Sequence, residues 1–168
     1  EYKSVVKSGL KLKGMSGCWC EPMDNFATWR GLQQTLIDVI DRPAWVHAWL
    51  QRITDHIVST FEQAQQLGAL TLNNRDTFLW SGGLGYTDDL PQPDFDGEHV
   101  RLIDMWAQAS TQIFSEVSPA MHEEFALHYE KQFLNKFGLS YYGCCEPLHD
   151  KVGAIFRHLP NVRKISMS

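Results

Sequence analysis

The sequence predicts an α/β fold in which parallel strands alternate with crossover helices. Three observations carry that expectation. Short strand-like segments recur at residues 10–15, 69–73, 111–116, 139–142 and 162–166. Longer stretches between them place apolar residues at steps of three and four, the period of a helix with one buried face. Helix punctuation marks the junctions, with proline behind a polar residue at the starts and glycine at the ends. Strand, helix and strand in repetition imply a parallel sheet with right-handed crossovers.

The elements follow in order. Leu10-Lys11-Leu12-Lys13-Gly14-Met15 alternates apolar and polar residues and reads as a first strand. Residues 17–25 read as a loop and 26–40 as helix. Asp41-Arg42-Pro43 opens the best amphipathic helix of the chain, where Val46, Trp49, Leu50, Ile53, Ile57, Phe61, Ala64 and Leu67 share a face and Gly68 ends the run. His47 and His56 lie in it and read as surface or packing residues. Residues 69–73 form the second expected strand. A long loop over 74–97 holds Ser81-Gly82-Gly83-Leu84-Gly85-Tyr86 and reads as a lid or substrate-contacting segment, since its glycines match no phosphate-binding spacing. Residues 98–109 read as helix and 111–116 as strand. Ser118-Pro119 starts a helix whose Phe125, Tyr129, Phe133 and Phe137 make a core stripe up to Gly138. Residues 139–142 are the next strand. Glu146-Pro147 opens a helix with Leu148, Val152, Ile155, Phe156 and Leu159 facing inward, Pro160-Asn161 breaks it, and 162–166 is the last strand.

Composition narrows the function classes. With 168 residues, 43% hydrophobic and 21% charged, the chain suits one domain with a packed core. The formal net charge of -5 supplies no basic field for nucleic acid. No apolar run approaches the roughly 20 residues of a membrane span, and the first seven residues do not read as a signal peptide. Four cysteines are too few for a disulfide scaffold, which points to reduced thiols and a cytoplasmic setting. The chain starts on Glu1 and stops inside a strand-like segment, so a piece of a larger architecture is expected.

A parallel sheet collects chemistry at the carboxyl ends of its strands. That edge should gather Cys18, Cys20, Glu21 and Asp24, then Asn73, Asn74, Arg75 and Asp76, then Glu116, then Gly143, Cys144, Cys145 and Glu146, and finally Ser166. Two loops echo each other, Cys20-Glu21-Pro22-Met23 and Cys145-Glu146-Pro147-Leu148. Two similar helix starts explain the echo simply. Thiolate and carboxylate donors also suit zinc. Adjacent Cys144 and Cys145 should not both ligate from an extended backbone, whose successive side chains point to opposite faces.

Tyr142-Gly143-Cys144-Cys145-Glu146-Pro147-Leu148 followed by Leu159-Pro160-Asn161-Val162-Arg163-Lys164-Ile165-Ser166 resembles the uroporphyrinogen decarboxylase superfamily, which includes the corrinoid-linked methyltransferases. Ile113-Phe114-Ser115-Glu116-Val117-Ser118-Pro119 with Glu124-Phe125 is similar to its strand, Ser-Pro and Glu-Phe pattern, and residues 43–68 to its long helix. The resemblance is to an uncharacterised decarboxylase-like branch. It implies a partial TIM-type (β/α)8 barrel with about five parallel strands, residues 1–168 being one incomplete domain. It implies metal-assisted one-carbon (methyl) transfer, with decarboxylation without metal as the alternative and an inactive, self-associating barrel fragment as the non-enzymatic one. In the methyltransferase branch a His-x-Cys motif holds zinc and a corrinoid protein is the partner. Here Tyr142 and Cys144 stand at the motif positions, so the histidine is replaced by tyrosine.

The resulting candidates are Glu116, Tyr142 and Glu146 for catalysis, Cys144 and Cys145 for a metal, and Cys18, Cys20, Glu21, Asn74, Arg75, Tyr86 and Ser166 for lining a small-molecule substrate. Homo-oligomerisation through exposed barrel edges is expected, because unpaired strand edges seek partners.

Overall fold

The computed structural model describes residues 13–167. Four strands, β1 (Trp19–Cys20), β2 (Trp106–Ala109), β3 (Leu139–Tyr142) and β4 (Val162–Ile165), form one sheet. Every pairing is parallel, and the spatial order β1-β2-β3-β4 follows the chain. The fold is therefore α/β on a parallel sheet of sequentially neighbouring strands. Among the described residues no helix is long and apolar enough to cross a membrane.

The first crossover holds three helices, α1 (Pro22–Arg30), α2 (Leu32–Asp41) and α3 (Pro43–Gln66). A single helix over 26–40 was expected. It starts earlier because Pro22 sits at the first helical position, and it breaks at Gly31, whose φ of 85° lies in the left-handed region. Helix α3 buries Val46, Leu50, Ile53, Phe61 and Ala64 and stops before Gly68, at φ 63°. The second crossover runs through α4 (Pro119–His122), a π-turn (Glu123–Leu127) and α5 (His128–Leu134). Ser118 caps it by accepting the Met121 N–H. Phe125, Tyr129, Phe133 and Phe137 are all buried, as the stripe predicts. The third crossover is α6 (Val152–His158).

Five further expectations change. The segment 10–15 lies partly outside the described residues; within them Met15 makes one parallel bridge to Leu70. Segment 69–73 is accordingly not a full strand. After that bridge the Asn73 side chain takes over the pairing, donating to the Ser16 and Trp106 carbonyls and accepting the Trp106 N–H. Capture of that N–H helps make 106–109 a strand instead of the expected helix. Its Trp-Ala-Gln-Ala pattern carries no alternation because both faces are buried. The expected strand 111–116 is a 3-10 turn (Gln112–Phe114), held by the Asp24 carboxylate, which accepts the Gln112 and Ile113 N–H groups. The last helix opens at Val152, not at Glu146-Pro147, because the Glu146 carboxylate accepts the Cys144 and Thr111 N–H groups and holds a loop. Phe156 on α6 is exposed, not inward.

The two faces of the sheet differ. Cys18, Cys20, Ala107, Ala109 and Tyr142 pack with Phe61, Leu127, Phe133 and Leu134 of the helical layer. Trp106, Leu139 and Tyr141 pack instead with Leu79 and Leu90 of the long 74–97 loop.

Candidate functional site

The carboxyl edge of the sheet carries a cluster of acids. The two Cys-Glu-Pro segments deliver Glu21 and Glu146 to consecutive residues at the end of β2. Ser110 donates its hydroxyl proton to Glu21 Oε1 at 2.9 Å, and the Thr111 N–H donates to Glu146 Oε1 at 3.3 Å. Only the first segment is a helix start, so the echo reflects convergence on β2 rather than two equivalent turns. Asp24, in the first turn of α1, sits beside them and accepts from the 3-10 turn. Burial raises the Glu21 carboxyl above its ordinary range, and the Asp24 and Glu146 charges add to that; the Ser110 hydrogen bond opposes it. Burial likewise raises Asp24, against the two backbone N–H groups it accepts.

Beneath this edge, between sheet and helices, lies a buried polar chain. The Tyr142 hydroxyl is 2.6 Å from Glu130 Oε2 and 3.0 Å from His122 Nε2, and Thr111 Oγ1 donates to Glu130 Oε1 at 2.8 Å. His122 and Glu130 are eight residues apart, about 2.2 turns of ideal α-helix. The intervening π-turn is wider, and both side chains reach the same hydroxyl. Burial pushes the Glu130 carboxyl up to about 8, despite the two hydroxyl donors. Burial, with Lys151 nearby, pulls His122 down to about 4. Tyr142 is pushed well above its usual range, first by burial and then by Glu130. The Tyr142 hydroxyl donates to an ionised Glu130; once Glu130 holds its proton, the direction reverses, Glu130 donating to Tyr142 and Tyr142 to His122 Nε2. His122 Nδ1 is then a buried donor without a partner among the described residues.

The predicted residues separate into groups. Glu21, Glu146, Cys144 and Ser166 come together at the edge, where Ser166 Oγ donates to the Cys144 carbonyl and the Cys144 N–H donates to Glu146. Tyr142 is fully buried on the helical side, so it supports the edge from below instead of facing a substrate. Glu116 is exposed on the turn after the 3-10 segment and joins no hydrogen bond with the cluster. Cys20 is buried in the helical core, and Cys18 beside it is also buried, with its thiol pushed up to about 12 by burial. Asn74 is buried and ties the long loop together through the Thr87 and Leu90 carbonyls. Arg75 pairs with Asp88 at 3.1 Å and lies over the exposed Tyr86 ring, which keeps both on that loop.

Cys144 and Cys145 depart from the extended-strand expectation. The chain turns after Gly143, at φ 93°, and the two sulfurs approach to 3.4 Å. Burial raises the Cys144 thiol, with Cys145 adding to it. Glu146 is committed to two backbone N–H groups, and among the described residues no group of three His, Cys, Asp or Glu side chains is arranged to hold a metal ion.

Sequence reasoning missed Ser110, Thr111, His122, Glu130 and Lys151. Lys151 is fully buried and donates to the Phe114 and Ser115 carbonyls. The one visible signal was Glu130 itself, an acid directly beside Tyr129 of the apolar stripe. No protein-family model matches the chain, and neither a curated protein nor a solved structure matches it.

Proposed function

We infer that the chain belongs to an enzyme of the uroporphyrinogen decarboxylase type, a partial (β/α)8 barrel that performs one-carbon chemistry on a small molecule. The convergence of Glu21 and Glu146 on the end of β2 carries this reading. Sequential parallel strand order is what a singly wound barrel requires and supports the barrel.

Acid–base chemistry suits the edge better than a metal-bound thiolate. Glu21 is half-buried, hydrogen-bonded and holds its proton more tightly than an ordinary glutamate. In a decarboxylation the carbon–carbon bond breaks, carbon dioxide leaves, and the electron pair stays on the substrate carbon. The Glu21 O–H proton then forms the new C–H bond, and Glu21 regains a proton from water. Glu146 fixes Thr111 and Cys144, so its role is positioning. The neighbouring acids disfavour a polyanionic substrate, since Arg75 is committed to Asp88.

Methyl transfer is the second reading, favoured by the paired Cys144 and Cys145 sulfurs. A screen of small monocarboxylic acids for carbon dioxide release tests the first. Turnover lost in Glu21→Gln and partly retained in Glu21→Asp is expected. Turnover indifferent to Glu21→Gln refutes it, and methyl transfer abolished by Cys144→Ser establishes the second. Self-association through the sheet edges is tested by sedimentation; a monomer at every concentration counts against it.

A further inference from the structure

A second site lies on the sheet face opposite the helices, away from the acidic edge. A cavity of about 150 Å³ opens there between the start of β1, the middle of β2 and the 77–80 stretch of the long loop. Its walls are aromatic. Trp19 and Trp80 stack with ring centres 5.3 Å apart and planes within 13°, and Phe78 and Trp106 are the other aromatic residues of the lining. Trp106 is fixed in place, because its indole N–H donates to the Gly85 carbonyl at 2.8 Å. The rim is unusually exposed for such side chains, with Phe78 at 72%, Trp80 at 57% and Trp19 at 47%.

Ser16, Asn73, Thr77 and Gln108 are the polar residues of the lining, and Asn73 spends its amide on Ser16 and Trp106. Gln108 projects from the centre of β2, lines the space and is 5% exposed. Its Nε2 is a buried donor with no hydrogen-bond partner among the described residues. A buried, unpaired amide is unfavourable, so such groups normally meet protein, water or a ligand. No lining residue carries a formal charge. Trp80 also holds a φ of 45°, the sole non-glycine residue with positive φ among the described residues.

We propose that this cavity binds a small, uncharged, single-ring aromatic molecule carrying a hydrogen-bond acceptor, with the ring held against the stacked Trp19–Trp80 pair and Trp106 and the acceptor on Gln108 Nε2. The size fits, since a cavity near 150 Å³ takes a ring the size of benzene. The aromatic walls select a flat ring. The unpaired donor selects an acceptor, and the absence of charge selects a neutral ligand. This site is independent of the reading of Glu21.

Pyridine and benzene, matched in size and differing in the acceptor, are the probes. Each is titrated into the full chain at pH 8 while the indole N–H signals are followed by NMR. Saturable shifts of Trp19, Trp80 and Trp106, but not of Trp29, Trp45 and Trp49, are expected, with pyridine binding more tightly than benzene. Gln108→Met should weaken pyridine about fivefold, the factor for one ordinary hydrogen bond, and leave benzene unchanged. Trp80→Leu, on an exposed loop, should weaken both probes and serves if the Gln108 variant does not fold. Equal binding of the two probes, shifts without saturation, or pyridine binding indifferent to Trp80→Leu overturns the proposal.

Discussion

Replacing Glu130 with glutamine isolates one buried carboxyl group from every other titration in the molecule. Glutamine keeps the shape and mimics the neutral acid. Its carbonyl can accept from Thr111, and its amide can donate to Tyr142, which still donates to His122 Nε2. The two proteins should therefore be about equally stable in acid, where the wild-type carboxyl is protonated both folded and unfolded. They should diverge as pH rises. The unfolded carboxyl ionises near 4.5, whereas the folded one holds its proton to about 8. Between those values the folded state binds one more proton than the unfolded state. Wild-type stability from this group is thus full below 4.5 and is lost as pH climbs to 8. The loss runs at about 1.4 kcal/mol per pH unit, so wild type loses about 4 kcal/mol against the variant between pH 5 and pH 8. Glu130 is completely buried, so solvent screening does not reduce that figure.

Urea unfolding of both proteins at several pH values measures the difference directly, because all shared groups cancel. A domain of this size is commonly stable by about 5–15 kcal/mol, so the expected change is a large fraction of the total. A stability difference that stays flat from pH 5 to pH 8 would refute the buried neutral carboxyl and the proton order drawn from it.

Three further outcomes follow from the same geometry. His122 has the opposite sign: its folded pKa is about 4, below the ordinary 6.5, so wild type should lose stability against His122→Gln as pH falls from 6.5, by about 3 kcal/mol at pH 4, in the same urea assay. Asn73→Leu strands both buried backbone groups of Trp106; at about 1–3 kcal/mol for each buried orphan, denaturant unfolding should show at least ~2 kcal/mol lost. In a thiol titration with Ellman's reagent Cys145 should react first, whereas Cys18 and Cys20 should react only after denaturation, because they are buried.

What the sequence revealed depended on whether the cause was local. Pro43 and Gly68 bound α3, and Ser118-Pro119 starts α4, because proline geometry, glycine freedom and a hydroxyl cap act within a few residues. The strand at Trp106–Ala109 was hidden because its cause is distant: Asn73, thirty-three residues earlier, takes the Trp106 N–H. The same holds at the edge. Glu21 and Glu146 were visible from the Cys-Glu-Pro echo, but their convergence on Ser110 and Thr111 depends on strand order, which no spacing encodes. The misplacement of Tyr142 was decided by a parity that follows from where β3 starts. Tyr141 and Tyr142 are neighbours, so one must face the loop and its Ser81 hydroxyl, and the other the helices and Glu130. Shifting that strand by one residue would exchange them, drawing Tyr142 off its relay and leaving Glu130 and His122 without their shared hydroxyl. The buried acid and the strand register thus support each other: the observed register gives Glu130 and His122 their shared hydroxyl and gives Tyr141 its Ser81 partner, while the pH profile of Glu130→Gln reports on the buried acid alone.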